Sequence, residues 1–143
     1  MADFLIDENI KKSLIKKQAC FSKLTEEETQ VLSGLLIERQ YAAGETIVVE
    51  GDPVDSVYFI VKGAADVRHV YVENNETVFK SLAQLSDNQS IGLSETGFYS
   101  LSGVRTATVV ALTDMITLRL SVAAFNGFAL AYHHVNEVMR GNV

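Results

Sequence analysis

The spacing of apolar residues divides the chain into three zones. Over about 4–36 the apolar residues recur at helical spacing, so this interval is predicted to be helical. From about 37 to 120 they form short β-like runs that are separated by turn signals. From about 121 to 140 the spacing is helical again. Short strands between frequent turns indicate a β-barrel or sandwich, here with helices at both ends.

Two local signals fix points within this pattern. Thr25 followed by Glu28 is a capping box, in which each side chain satisfies a backbone N–H of the other residue, so a helix is predicted to begin there. Asn74 and Asn75 stand between two β-like runs and tolerate positive φ angles, so they predict a tight hairpin turn. We find no repeat or linker and predict a single domain over 1–143.

Composition narrows the function classes. The chain has 143 residues, 48% of them hydrophobic, and a formal net charge of −6, which disfavours a nucleic-acid surface. Cys20 is the only cysteine, as expected for a protein of a reducing compartment. The sequence has no signal peptide and no apolar run of about 20 residues. We therefore expect a cytoplasmic protein that does not insert into a membrane.

The sequence offers little for catalysis. The three histidines are His69, in a predicted strand, and the adjacent pair His133 and His134 near the carboxyl end. Neighbouring helical residues point about 100° apart, so His133 and His134 are poorly placed to share one metal ion. We predict no metal site, no catalytic cofactor and no enzyme activity. A metal-dependent barrel enzyme stays as an alternative that is supported by fold class alone.

The stretch 90–108 is the most informative one. Gly92 permits close backbone approach, and 94–99 is predicted to form one helical turn whose free N–H groups favour an anion. Arg105 follows and leads into a strand, where its guanidinium can pair with a phosphate through two N–H groups. The other reading of this stretch is a surface loop followed by an arginine in a local ion pair. Arg119 and the remaining arginines lack a comparable flanking loop.

The order of these features resembles a known family. The segments 41–47, 50–52 and 55–63, with their glycines, look like the signature of the cyclic nucleotide-binding domain family, and 105–111 resembles its phosphate-binding cassette and the next strand. The resemblance covers about 21–125. It implies a mainly β fold with flanking α-helices, namely an eight-stranded β-roll with helices at its amino and carboxyl ends.

The resemblance also implies site residues. Ile91 and Gly92 match the pair that opens the cassette, but Leu93 stands where the family expects a glutamate for the ribose 2′-hydroxyl. Glu95, after Ser94, could supply that carboxylate if the entry to the cassette is longer by two residues; otherwise it is an acid that favours a helix N-terminus. A missing ribose hydrogen bond would cost about 1–3 kcal/mol, or roughly 5- to 150-fold in affinity.

Arg105 matches the cassette arginine that pairs with the cyclic phosphate, and Thr106 falls where the family often places a hydroxyl, so cGMP is a candidate beside cAMP. The resemblance thus predicts a regulatory module that binds cAMP or cGMP. Because no output domain follows the β-roll, we expect the signal to pass to a separate effector protein. The helices of about 121–140 would form a lid or a homodimer seam. The alternative is a degenerate member that no longer binds nucleotide and serves protein interaction.

Overall fold

The computed structural model describes residues 6–94, 97–98 and 103–135. Helices precede and follow the strands, as predicted. They are α1 (Glu8–Lys17), a 3₁₀ turn (Ala19–Phe21), α2 (Glu26–Ser33) and α3 (Val122–Ala131). Residues 133–135 are again helical, and the rest of the predicted carboxyl-terminal helix lies outside the described residues.

Each of the described α-helices α1, α2 and α3 follows a side chain that accepts a backbone N–H of its first turn. Asp7 accepts from the N–H of Ile10 before α1, and Ser121 accepts from that of Ala124 at the start of α3. Before α2 the Thr25 hydroxyl accepts from Glu28 N at 3.1 Å, and the Glu28 carboxylate accepts from Thr25 N at 2.8 Å. The predicted capping box is therefore confirmed.

The described strands are β1 (Ile37–Tyr41), β2 (Thr46–Val48), β3 (Ser56–Lys62), β4 (Ala65–Glu73), β5 (Glu76–Leu85), β6 (Ser90–Ile91), β7 (Leu93–Ser94), β8 (Gly97–Phe98), β9 (Thr108–Ala111) and β10 (Met115–Ser121). Eight of them form two antiparallel four-stranded sheets, ordered β1-β10-β3-β6 and β2-β9-β4-β5, and β7 and β8 form a separate ribbon. This arrangement confirms the predicted eight-stranded β-roll.

Strands β4 and β5 form a long hairpin. Asn74 and Asn75 have φ angles of 53° and 65°, so the predicted two-residue turn is confirmed, and Glu73 lies opposite Glu76. Strand β4 also pairs with β9, but only over residues 65–68. Beyond residue 68 the hairpin therefore extends past the rest of its sheet.

Strand β3 separates two hydrophobic cores, because successive side chains of a strand point to opposite faces. Its residues Val57 and Phe59 belong to a core that the helices cover, called here the helix-side core. The members of the helix-side core are Leu14, Ile15, Cys20, Phe21, Leu24, Leu32, Leu36, Val57, Phe59, Leu118, Leu120, Phe125, Phe128, Ala129 and Val135. The other core lies between the sheets and is called the barrel-side core. Its members are Val48, Tyr58, Ile60, Ala65, Ile91, Val109, Ala111 and Met115.

The sequence predicted a helical turn over 94–99, and this prediction is wrong for residues 94, 97 and 98, which are the described ones. Leu93 pairs with Phe98 and Ser94 pairs with Gly97, so β7 and β8 form an antiparallel ribbon. Glycine disfavours a helix interior and phenylalanine favours a strand, which agrees with this outcome. Leu93 also packs against the helix-side core. The described part of this stretch therefore offers no helix N-terminus to an anion.

Candidate functional site

A cavity of about 530 Å³ lies between the strands of the β-roll, next to Gly92 and Arg105. Its walls are mainly apolar and come from β2, β4, β5 and β9. Val109, Leu93, Ser90, Arg105 and Thr106 are among the residues that line it. Among the described lining residues Arg105 is the sole charged one. A mostly apolar cavity with a few convergent polar groups is typical of a small-molecule site.

The guanidinium of Arg105 is held beside β3 and is only 7% exposed. Its Nη2 donates a hydrogen bond of 2.7 Å to the backbone oxygen of Ser56 and lies 3.8 Å from Oδ1 of Asp55. The backbone of Gly51 and Asp52 holds the backbone of Arg105 as well. The N–H of Arg105 donates to the oxygen of Asp52, and the oxygen of Arg105 accepts from the N–H of Gly51. The side chain is therefore fixed at the cavity wall.

Burial dominates the electrostatics of this arginine. Removal from water lowers the pKa of Arg105, while Tyr58 and Asp55 oppose that shift and nearby Arg119 adds to it. An arginine keeps its proton at neutral pH despite such a shift. The cavity wall thus carries a positive charge whose neighbouring carboxylate, Asp55, is 3.8 Å away and largely exposed.

Gly92 is required by the position of Arg105. Its φ angle is +96°, and a Cβ there would lie 3.2 Å from Nη1 of Arg105 and 3.0 Å from Cγ1 of Val57. From the sequence, we expected Gly92 to permit close approach of a ligand to the backbone. In the structure the group that approaches is the arginine side chain itself.

The predicted site residues fall at different places around the cavity. Ile91 is buried in the barrel-side core and pairs with Tyr58. Leu93 is half-buried and lines the cavity, so an apolar side chain occupies the predicted position of the ribose carboxylate. Thr106 is exposed and lines the cavity beside Arg105. The backbone of Ser94 belongs to β7, and Glu95 lies outside the described residues.

Sequence reasoning missed two residues of this site. Asp55 stands between Arg105 and Arg119, since its Oδ2 lies 3.6 Å from Nη2 of Arg119. Its backbone oxygen also accepts a 2.8 Å hydrogen bond from the N–H of Val122, the first residue of α3. The alternation of β10 could have indicated Arg119, because Leu118 and Leu120 belong to the helix-side core and Arg119 must face the other way.

Within the described ranges there is neither a cluster of metal ligands nor a membrane-spanning helix. Within them, no group of three or more His, Cys, Asp or Glu side chains is placed to hold a metal ion. No helix in the described ranges is both long and apolar enough to cross a bilayer.

Comparison with known proteins identifies the family. The family model for the cyclic nucleotide-binding domain matches residues 38–132, so the chain belongs to that family, whose function is regulatory nucleotide binding. The N-terminal domain of a transcriptional regulator from Streptomyces coelicolor A3(2) is similar to it at 25% identity, with a TM-score of 0.73, over 88% of this chain and 84% of that one.

Two similar structures share the fold at lower identity. The Thermus thermophilus catabolite activator protein is 21% identical with a TM-score of 0.68, over 86% of this chain. The regulatory domain of Toxoplasma gondii PKA, solved with cAMP, is 16% identical with a TM-score of 0.70, over 85% of this chain. The chain spans 55% and 44% of those two chains, about half of their length.

Proposed function

We propose that the protein is a regulatory module that binds cAMP or cGMP in the cavity beside Arg105 and signals to a separate effector protein. The observation that carries this proposal is the buried guanidinium of Arg105 at the wall of an apolar cavity of about 530 Å³. Volumes of about 300–1,000 Å³ are usual for small-molecule sites. We take the whole chain, 1–143, as one such domain, and we expect it to act in the cytoplasm without a catalytic cofactor.

The charge of the cavity favours a cyclic phosphate over other nucleotides. A cyclic phosphodiester carries one negative charge, and a nucleoside triphosphate carries several. Arg105 is the single charged residue among the described residues that line the cavity. Because a guanidinium can pair with two phosphate oxygens at once, this residue alone is sufficient for a monoanion.

The remaining parts of the ligand would meet apolar walls and two candidate polar groups. The hydroxyl of Thr106, exposed beside Arg105, can contact the phosphate or the base, and it is our candidate for discrimination between cAMP and cGMP. Leu93 offers no acceptor for the ribose 2′-hydroxyl, so we propose Glu95 for that role. Ser90 supplies a further polar group at the cavity wall.

The path to an effector runs through Asp55. Its carboxylate lies beside Arg105, and its backbone oxygen holds the first N–H of α3. A phosphate that pairs with Arg105 would compete with Asp55 for the guanidinium. It would so disturb Asp55, whose backbone oxygen accepts the N–H of Val122 at the start of α3. We propose that this change repositions α3 and the helical residues after it, as a lid or as a surface for the effector.

Titration calorimetry with cAMP and cGMP tests the proposal, with Arg105→Ala beside the wild type. Loss of a bidentate, charge-assisted pair costs about 3 kcal/mol or more, so we expect at least a roughly 100-fold weaker affinity in the variant. Arg39→Ala is the matched control, because Arg39 is exposed on β1 and does not line the cavity. This control should bind like the wild type.

Two outcomes would decide against a nucleotide sensor. Absence of heat and of a thermal shift at millimolar cAMP or cGMP would favour the degenerate alternative, a β-roll that serves protein interaction. Binding that is equally strong in Arg105→Ala would place the nucleotide elsewhere. If the wild type binds and Arg105→Ala does not, Glu95→Gln and Thr106→Ala follow, with the cAMP-to-cGMP affinity ratio as the readout for Thr106.

A further inference from the structure

Among the described strands, β5 has a neighbour on one side only. In the order β2-β9-β4-β5 this strand is the last one, and among the described residues no strand pairs with its outer side. Nine of the hairpin's ten residue positions from 73 to 82 are exposed, with Val78 as the half-buried one. Open strand edges are templates for pairing with another chain, and proteins usually shield them with proline, clustered lysines or bulges.

The hairpin turn determines which backbone groups face outward. In a two-residue hairpin the residues that flank the turn form a hydrogen-bonded pair, here Glu73 and Glu76, and such pairs alternate along the ladder. Val78, opposite Tyr71, is therefore directed toward β4 through its N–H and C=O. The backbone groups of Thr77 and Phe79 are directed away from β4, where a further strand could accept them.

The sequence of β5 is complementary to itself in the antiparallel direction. If two copies of β5 pair about a two-fold axis at Val78, Thr77 of each copy lies opposite Phe79 of the other. Thr77 and Phe79 are the residues whose backbone groups face outward. The same register places Glu76 of each copy opposite Lys80 of the other, so two ion pairs form in non-hydrogen-bonded positions, where side chains are closest.

The exposed apolar residues of the hairpin support the same pairing. Val72 is 71% exposed and Phe79 is 54% exposed, and Val70 lies opposite Phe79 on the same face. In the self-paired register the two Phe79 side chains are diagonal neighbours, within reach of each other. An apolar stripe would then run from Val70 through both phenylalanines to Val70 of the second copy. The guanidinium of Arg68, 3.9 Å from the centre of the Phe79 ring, borders this stripe.

We infer that two copies of this chain associate through β5, and that their four-stranded sheets join into one continuous antiparallel sheet across a two-fold axis at Val78. The occupant of the open edge is thus a second copy of the chain. The paired residues 76–80 are not among the residues that line the cavity. The inference does not depend on nucleotide binding.

Sedimentation equilibrium of the full chain tests the inference through charge reversal. In Lys80→Glu each Glu76 faces a glutamate, and in Glu76→Lys each Lys80 faces a lysine. Either change replaces two attractive pairs by two repulsive ones and should weaken the dimer by about ten-fold. The double variant Glu76→Lys with Lys80→Glu restores opposite charges and should regain the wild-type dissociation constant. Both side chains are exposed, so the fold should tolerate all three variants.

Lys62→Glu is the control for Lys80→Glu, since it makes the same charge change at an exposed residue at the end of β3. It should leave the dimer unchanged. Amide exchange adds a second readout, because the N–H groups of Thr77 and Phe79 should gain protection as the protein concentration rises. A protein that stays monomeric at millimolar concentration overturns the inference. A dimer whose dissociation constant is unchanged by both single charge reversals also overturns it. So does a dimer in which the N–H groups of Thr77 and Phe79 gain no protection from exchange.

Discussion

The helix-side core and the barrel-side core are built from the same strand and differ in what they surround. On the helix-side face of β3 the ring of Phe59 lies 6.2 Å from that of Phe21, which lies 6.0 Å from that of Phe125. Packing there is continuous between sheet and helices. On the barrel-side face, Ile91 and Val109 belong to the core and also line the cavity. We therefore expect substitutions in the helix-side core to cost more folding free energy than substitutions in the cavity wall, where the proposed ligand would bind.

Two of the buried charged side chains, Glu28 beneath the helices and Arg105 at the cavity wall, are satisfied differently. Glu28, with a side chain only 5% exposed, receives hydrogen bonds from the N–H of Thr25 and from His134, whose Nδ1 lies 2.9 Å from Oε1. Arg105 has the carbonyl oxygen of Ser56 and a more distant carboxylate. The glutamate is paired within the fold, while the arginine borders a cavity that can admit an anion.

The largest expected effect is on stability and comes from the helix-side core. Phe59→Ala removes a fully buried ring and should lower the free energy of unfolding by about 3–5 kcal/mol, measured by urea denaturation. Nucleotide affinity, measured where the variant is still folded, should stay near the wild-type value. The comparison at equal side-chain size is Val57→Ala in the helix-side core with Val109→Ala in the cavity wall, and Val109→Ala should cost less, roughly 1–2 kcal/mol. An equal loss in the two valine variants would contradict this expectation.

The second prediction concerns Gly92→Ala, whose new Cβ would meet Nη1 of Arg105 at 3.2 Å. Displacement of the guanidinium should weaken cAMP or cGMP binding by about ten-fold. Gly44→Ala is a matched control, because Gly44 has a similar φ of +92° and a methyl group added there would have nothing within 4 Å. Both variants should lose roughly 1 kcal/mol of stability from backbone strain, and only Gly92→Ala should lose affinity. Similar affinities in both variants would contradict the prediction.

The smallest expected effect is pH-dependent and concerns Glu28. Burial alone would raise the pKa of Glu28, but the hydrogen bonds from Thr25 N–H and His134 outweigh it and hold the pKa below its ordinary value of 4.5. A lowered pKa in the folded state adds stability at higher pH, and this stability is lost as the pH falls from 4.5 through the folded-state pKa.

Glu28→Gln should therefore cost roughly 1–2 kcal/mol at neutral pH and less in acid, as measured by urea unfolding at both pH values. Glu27→Gln is the control, because Glu27 is the exposed neighbour in the same helical turn. A difference between wild type and Glu28→Gln that stays constant with pH would show that the carboxylate charge contributes nothing.

Features that depend on neighbouring residues were predictable from the sequence. The capping box of Thr25 and Glu28 and the turn at Asn74 and Asn75 are determined by side chains and φ preferences within a few positions, and both are present. The predicted helical turn over 94–99 failed because its competitor is a ribbon whose strand residue Leu93 packs on a distant core. Local propensity carries no information about that contact.

The site was predictable only in part for the same reason. Arg105 and Gly92 were found first from the loop that flanks them and then from a resemblance in order and spacing. Asp55 and Arg105 are 50 positions apart in the sequence. Arg119, which also contacts Asp55, lies on β10, the strand after β9. Such contacts follow from the closure of the β-roll, which brings the start of β3 and the end of β10 together.

The burial of Arg105 has a consequence for the amount of protein that stays folded. Moving a guanidinium out of water costs free energy, and a bound anion offsets that cost only in the native state. A ligand at 100 times its dissociation constant adds about 2.7 kcal/mol to the unfolding free energy, a large fraction of the stability of a small domain. If nucleotide binds at Arg105 as proposed, its concentration would therefore set the fraction of the protein that is folded, and hence the fraction open to proteolysis.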